Sequence, residues 1–223
     1  LSLLTWGRAA PHPDARRAAS DGGGFGAIFA SISFWRMALL ATATTGVVFA
    51  FQGLWAGPYL ANGVGLDSLS TGNVLLAFSI GASAGYLALG ALGDRIGVAR
   101  AALVAGVVFF AMQMVLATTP APGAARLAVP FLLLGAAGAA SGLLYSLARS
   151  RFPLALTGRA VTAINLFIFA GGWAMQGSLG VWLAAGLGGY GSLFALTGSL
   201  SVVPTSAFVP EVMSRRKPPS KAE

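Results

Sequence analysis

AVTAINLFIFAGGWAMQGSLGVWLAAGLGGYGSLFALTGSLSVVPTSAFVP, residues 160–210, contains no charged side chain. A helix needs about 20 mostly apolar residues to cross the hydrocarbon of a bilayer, so this stretch is too long for one crossing. It divides at Ala185-Gly186-Leu187-Gly188-Gly189-Tyr190, where glycines favour a turn. Two spans result, 161–184 and 191–209. Working back toward the N-terminus, charge clusters separate four further runs of membrane length: 37–60, 73–92, 101–118 and 127–147. The expectation is an all-α membrane protein with six transmembrane helices. The runs are apolar on every face, whereas barrel strands alternate over short segments.

Composition excludes other classes. Hydrophobic residues make up 56% of the chain and charged residues 9%, against about 25% charged in an ordinary soluble domain. The net charge of +8 lies in short clusters between apolar runs, which is no continuous patch for nucleic acid. The chain has no cysteine, so disulfides and thiolate metal sites are excluded. Its one histidine, His12, stands in a polar stretch without ligand companions, so no metal and no cofactor are expected. There is no serine nucleophile motif with a base and no phosphate-cradling glycine loop with lysine. No catalytic residues are assigned, and an enzyme is not expected.

Residues 1–33 read as a hydrophilic linker. They carry Arg8, Pro11, Pro13, Asp14, Arg16, Arg17 and then Asp21-Gly22-Gly23-Gly24, with no signal-peptide core. A chain that opens on such a linker without Met is expected to lack an upstream segment. Residues 34–210 form the transmembrane domain, and 211–223 form a basic tail. With the linker in the cytoplasm, that side receives Arg36, Arg95, Arg100, Arg149, Arg151 and Arg159, together with the linker and tail cations. The other side receives only Arg126. The positive-inside rule then puts both termini in the cytoplasm, and a bacterial inner (cell) membrane is the expected location. Trp35 on one side and Trp55, Tyr59, Trp182 and Tyr190 on the other fit interfacial aromatic belts.

Between the second and third spans lies Gly85-Tyr-Leu-Ala-Leu-Gly90-Ala-Leu-Gly93-Asp94-Arg95-Ile-Gly97-Val-Ala-Arg100. Glycines permit a tight turn, and Asp94 suits the positive end of a helix dipole. The pattern Gly90-x-x-x-Asp94-Arg95-x-Gly97-x-x-Arg100 resembles the loop signature of the major facilitator superfamily. Phe51-Gln-Gly-Leu-Trp55-Ala-Gly-Pro58-Tyr-Leu60 resembles the seventh helix of bacterial members. Arg151-Phe-Pro153 through Gly158-Arg159-Ala160 to Asn165 resembles their tenth-to-eleventh connection. One departure is that Val98 and Ala99 precede a single Arg100, where the family often has adjacent basic residues. The resemblance implies the C-terminal six-helix half of a secondary transporter, built as a 3+3 inverted repeat. It implies an N-terminal six-helix half as partner and Gly90, Asp94, Arg95, Gly97 and Arg100 as a gating loop.

No carboxylate lies within a span, so no proton relay of the usual kind is visible. The polar cavity candidates are uncharged: Gln52, Trp55 and Tyr59 on one face of the first span, Tyr145 in the fourth, Asn165 and Gln176 in the fifth. Such groups in lipid need partners, supplied either by a wet cavity or by neighbouring helices. Glycine pairs Gly81/Gly85 and Gly138/Gly142 mark close helix approach. The expected function is transport of a small solute by alternating access. A non-transporting membrane assembly protein is the alternative. The lining is compatible with sugars, drugs, organic anions or amino acids.

Overall fold

A computed structural model describes residues 24–119 and 123–213. His12, residues 1–23 of the expected linker and residues 214–223 of the expected tail lie outside them, while 211–213 continue the last helix. Among the described residues all regular structure is helical. Six helices are long and apolar enough to cross a membrane: span 1, Ile32–Gly63; span 2, Ser68–Ile96; span 3, Val98–Thr118; span 4, Ala124–Arg151; span 5, Leu154–Ala184; span 6, Tyr190–Met213. All six expected runs are present, and the helices extend past most of the apolar boundaries. A short helix, Phe25–Phe29, precedes span 1 within the stretch read as linker, and its Ile28 is fully buried.

Arg36, near the start of span 1, lies 3.2 Å from Glu211, near the end of span 6. The two ends of the bundle's chain path therefore meet at one pole. Asp94, Arg100 and Arg151 share a cleft with Glu211, so this is also the pole of the span 2–3 and span 4–5 turns. It is the basic pole of the bundle.

Span 2 turns into span 3 through Gly97 alone, at φ +94°. That left-handed conformation suits glycine. The span 5–6 turn falls where the glycine cluster predicts, with Gly186 at φ +67°. Asp67 caps span 2, its Oδ1 accepting from Ser70 N at 2.7 Å.

Spans 2 and 4 cross with backbones in contact. A Cβ at Gly81 would fall 2.0 Å from Leu132 O, one at Gly85 2.5 Å from Ala136 O, and one at Gly135 2.3 Å from Phe78 O. Gly81 and Gly85 thus act as the expected small pair, and Gly135 is their counterpart. Gly138 instead receives the Val48 side chain, and Gly142 the Tyr86 ring. Span 1 crosses span 5 at Gly46 and Gly172, where a Cβ on either would lie 3.0 Å from a backbone oxygen of the other helix.

Two helices depart from regularity. Span 1 contains three π-helical turns, Thr42–Gly46, Phe51–Trp55 and Tyr59–Gly63. Span 4 breaks at Ala139-Ala140. Span 6 runs on through Pro204 and Pro210 to Met213. Membrane helices tolerate such prolines where neighbours compensate the lost bonds.

The apolar core has two parts. Phe34, Met37, Leu40, Leu144, Ile164 and Phe208 belong to one near the basic pole. Phe51, Tyr59, Phe78, Phe131 and Phe194 belong to the other. There Phe51 stacks on Phe194 at 4.6 Å between ring centroids, a contact that spans 1 and 6 make by filling volume.

Candidate functional site

Most polar side chains inside the six spans are spent on the bundle itself. Thr45 Oγ1 donates to Gly138 O at 2.6 Å, joining spans 1 and 4. Thr42 Oγ1 reaches Phe167 O at 3.1 Å, joining spans 1 and 5. Gln113 of span 3, fully buried, meets Thr197 of span 6. The single Thr197 hydroxyl proton also has Leu193 O at 2.7 Å. With the Gln113 amide nitrogen donating instead, the Thr197 hydroxyl accepts from it and donates to Leu193 O, and the other end of the Gln113 amide has no partner among the described residues.

What remains open is a cleft of about 230 Å³ between spans 1, 2 and 4. Thr45, Gln52, Ser83 and Tyr86 supply its polar atoms, and Gly135 and Gly138 its close walls. Gln52 and Ser83 are exposed there. A second cleft, about 270 Å³, lies between spans 1 and 5 and is lined by Phe49, Phe169, Gly172, Trp173 and Gln176. Phe49 forms part of both. Gln176 Nε2 donates to Phe49 O at 3.3 Å, where span 1 passes from α to π hydrogen bonding. A π turn displaces a carbonyl from the regular ladder, and an amide from a neighbouring helix is a suitable partner for it.

The sequence-derived cavity residues divide accordingly. Gln52 lines the first cleft and Gln176 the second. Trp55 and Tyr59 do not share the Gln52 face. Tyr59 is buried against Phe131 and Phe194, and Trp55 packs its ring toward Gly180 of span 5. The i, i+3, i+7 spacing assumed a uniform α-helix, and the π turns at Phe51–Trp55 and Tyr59–Gly63 shift the angular register. Tyr145 and Asn165 face each other, the tyrosine hydroxyl donating to the amide oxygen.

Of the expected gating loop, Asp94 and Arg95 occupy the last turn of span 2, Gly97 is the turn and Arg100 opens span 3. Asp94, Arg95 and Arg100 are exposed. Asp94, Gly97 and Arg100 border a cleft of about 720 Å³ at the basic pole, together with Ser146, Ser150, Arg151 and Glu211. Gly90 and Asp94 also line a smaller cleft with Tyr86.

Glu211 is not among the sequence-derived site residues; it closes span 6. It is 5% exposed and sits between Arg36 Nη1 at 3.2 Å and Arg151 Nη2 at 3.0 Å. A carboxylate so desolvated needs such partners. Nothing local signals this, because the partners come from spans 1 and 4. Ser83 and Tyr86 were missed as well. Both line the first cleft from span 2, and Tyr86 reaches Ser141 and Gly142 of span 4.

Comparison with known protein families gives no match, and comparison with curated proteins gives none. The fold and clefts define the class: an all-helical protein of six membrane-length apolar helices, with polar-lined clefts between spans 1, 2 and 4.

Proposed function

We propose that the chain is the C-terminal half of a secondary transporter that moves a small solute across a bilayer by alternating access. The observation that carries this reading is the cleft of Thr45, Gln52, Ser83 and Tyr86. An apolar bundle that satisfies most of its polar groups internally, Thr45 among them, leaves Gln52, Ser83 and Tyr86 exposed on an open concave surface. Polar side chains inside membrane spans turn to a partner helix or a water-filled cavity, and concave sites with a few convergent polar groups bind small molecules. Between pseudo-symmetric halves such a cleft would sit at the interface, where substrate sites of this architecture lie.

The resemblance of Gly90–Arg100 to a facilitator loop supports the same reading. The second half of the pathway would come from an N-terminal six-helix partner. The distribution of arginines favours a cytoplasmic basic pole, in a bacterial inner membrane. The lining of the cleft is uncharged, which fits a polar solute bound by hydrogen bonds. The test is Gln52→Ala in the assembled transporter: solute exchange falls while membrane insertion is unchanged. Unaltered exchange in that variant would remove the cleft from the pathway.

A further inference from the structure

Phe49 stands between two clefts. On one side lie Gln52, Ser83 and Tyr86, and on the other Phe169, Trp173 and Gln176. Phe49 and Phe169 stack at 5.3 Å between ring centroids and 21° between planes, so spans 1 and 5 join their rings into one wall. Trp173 follows Phe169 by four residues and continues that wall on the same face of span 5. Phe169 is 60% and Trp173 78% exposed. Gln176 is the only polar side chain lining the second cleft. Its Nε2 donates to Phe49 O, and its Oε1 accepts from no group among the described residues.

Lipid is a poor cover for this face. The uncharged run of span 5 covers 161–184, and Trp173 stands at its middle. The apolar run of span 1 covers 37–60, and Gln52 lies about 5 Å from its middle at 1.5 Å per residue. Membrane tryptophans gather at the two interfaces, where the indole N–H finds a polar partner. Gln52 and Trp173 are both exposed at mid-depth, and neither hydrogen-bonds to another described residue. Hydrocarbon against them would leave an indole N–H and an amide unpaired, at a cost.

The chemistry of the wall selects among solutes. Neither cleft is lined by a charged side chain, so an ionic group would meet no counter-charge. A sugar laid on Phe169 and Trp173 would find one amide for its several hydroxyls, and the unpaired ones would oppose binding. Exposed ring faces with one amide at their edge suit another aromatic ring.

We propose that the solute is an uncharged planar aromatic compound with a hydrogen-bonding substituent, its ring lying on Phe169 and Trp173 and its polar edge reaching Gln176 or, past Phe49, Gln52. The assignment of this compound class as transported cargo rests on the transport reading; its binding does not.

Two probes separate aromatic recognition from partition into an apolar groove. Naphthamide and decahydronaphthamide carry the same amide on a bicyclic frame of similar size, and the saturated one is the more lipophilic. Radiolabelled naphthamide is bound to the chain in nanodiscs, with binding to empty nanodiscs subtracted. Saturable binding is expected, with the saturated amide about tenfold weaker as a competitor, the scale of an aromatic contact. Trp173→Leu keeps apolar bulk at an exposed position and should weaken naphthamide about tenfold. Trp173→Phe should weaken it less, and Phe169→Leu repeats the test at the neighbouring ring. Unchanged thermal unfolding of the variants reports an intact fold. The proposal is overturned if binding is not saturable, or if the saturated amide or glucose competes as well as unlabelled naphthamide. It is equally overturned if Trp173→Leu and Phe169→Leu both bind like the parent. Exchange of a non-aromatic solute by paired halves, with no naphthamide preference, would sink the compound class alone. Naphthamide binding without any exchange would sink transport alone.

Discussion

Arg151 Nη2 lies 3.0 Å from Glu211 Oε2 and 3.3 Å from the Glu211 carbonyl oxygen, so one guanidinium holds both the side chain and the backbone at the end of span 6. Arg36 approaches the other carboxylate oxygen at 3.2 Å. Three helices are tied at a buried carboxylate. Glu211→Gln should lower stability by about 1–3 kcal/mol, since it removes the carboxylate charge that both guanidinium groups approach. Arg36→Ala and Arg151→Ala should each cost less, because Glu211 keeps the other arginine. Thermal unfolding in detergent or nanodiscs measures the order. A Glu211→Gln variant as stable as the parent would contradict it.

The glycine crossing gives a sharper contrast. Gly81→Ala would put a methyl group against the Leu132 carbonyl and force spans 2 and 4 apart, at about 1–3 kcal/mol. Gly90 has nothing within 4 Å of an added Cβ. Gly90→Ala should therefore be neutral or stabilising by up to about 1 kcal/mol through helix propensity. Equal melting temperatures for the two variants would argue against the crossing.

Tyr145 and Asn165 satisfy each other, which makes them a structural pair before any solute binds. In a double-mutant cycle, Tyr145→Phe and Asn165→Ala should couple by about 0.5–1.5 kcal/mol, the range of hydrogen bonds between membrane helices. Additive effects on stability would show that the two do not bond in the membrane.

The Ser70 backbone N–H, aided by its hydroxyl, holds the Asp67 carboxyl below the ordinary carboxylate value. A depressed folded value means that the cap contributes fully above the unfolded pKa. The contribution fades as pH falls through the folded one. The parent should thus lose part of its thermal stability on acidification, and Asp67→Ala should lose less. Asp67→Asn, an equally good cap, should remain stable at neutral pH. Parallel pH profiles for parent and Asp67→Ala would exclude the cap.

The six spans and the two glycine turns could be read from the sequence because apolar run length and turn chemistry are local properties. The grouping of cavity residues was less legible. Gln52, Trp55 and Tyr59 part company because span 1 is wound partly as π-helix, and no residue pattern there announces it. Glu211 and Tyr86 acquire their surroundings from helices distant in sequence, through crossings that only packing defines. Gly81 and Gly85 hinted at one such crossing, but not at Gly135 as their partner or at Gly142 as the seat of an aromatic ring.

The central claim is that this bundle supplies one side of a solute pathway. Counterflow in proteoliposomes tests it most directly, using a panel of polar solutes with the chain alone and with an upstream six-helix half. The account predicts saturable exchange of at least one solute by the paired halves, weakened by Gln52→Ala, and none by the chain alone. Saturable exchange by the chain alone would contradict the half-transporter reading. Paired halves that insert and assemble yet exchange nothing would contradict transport itself.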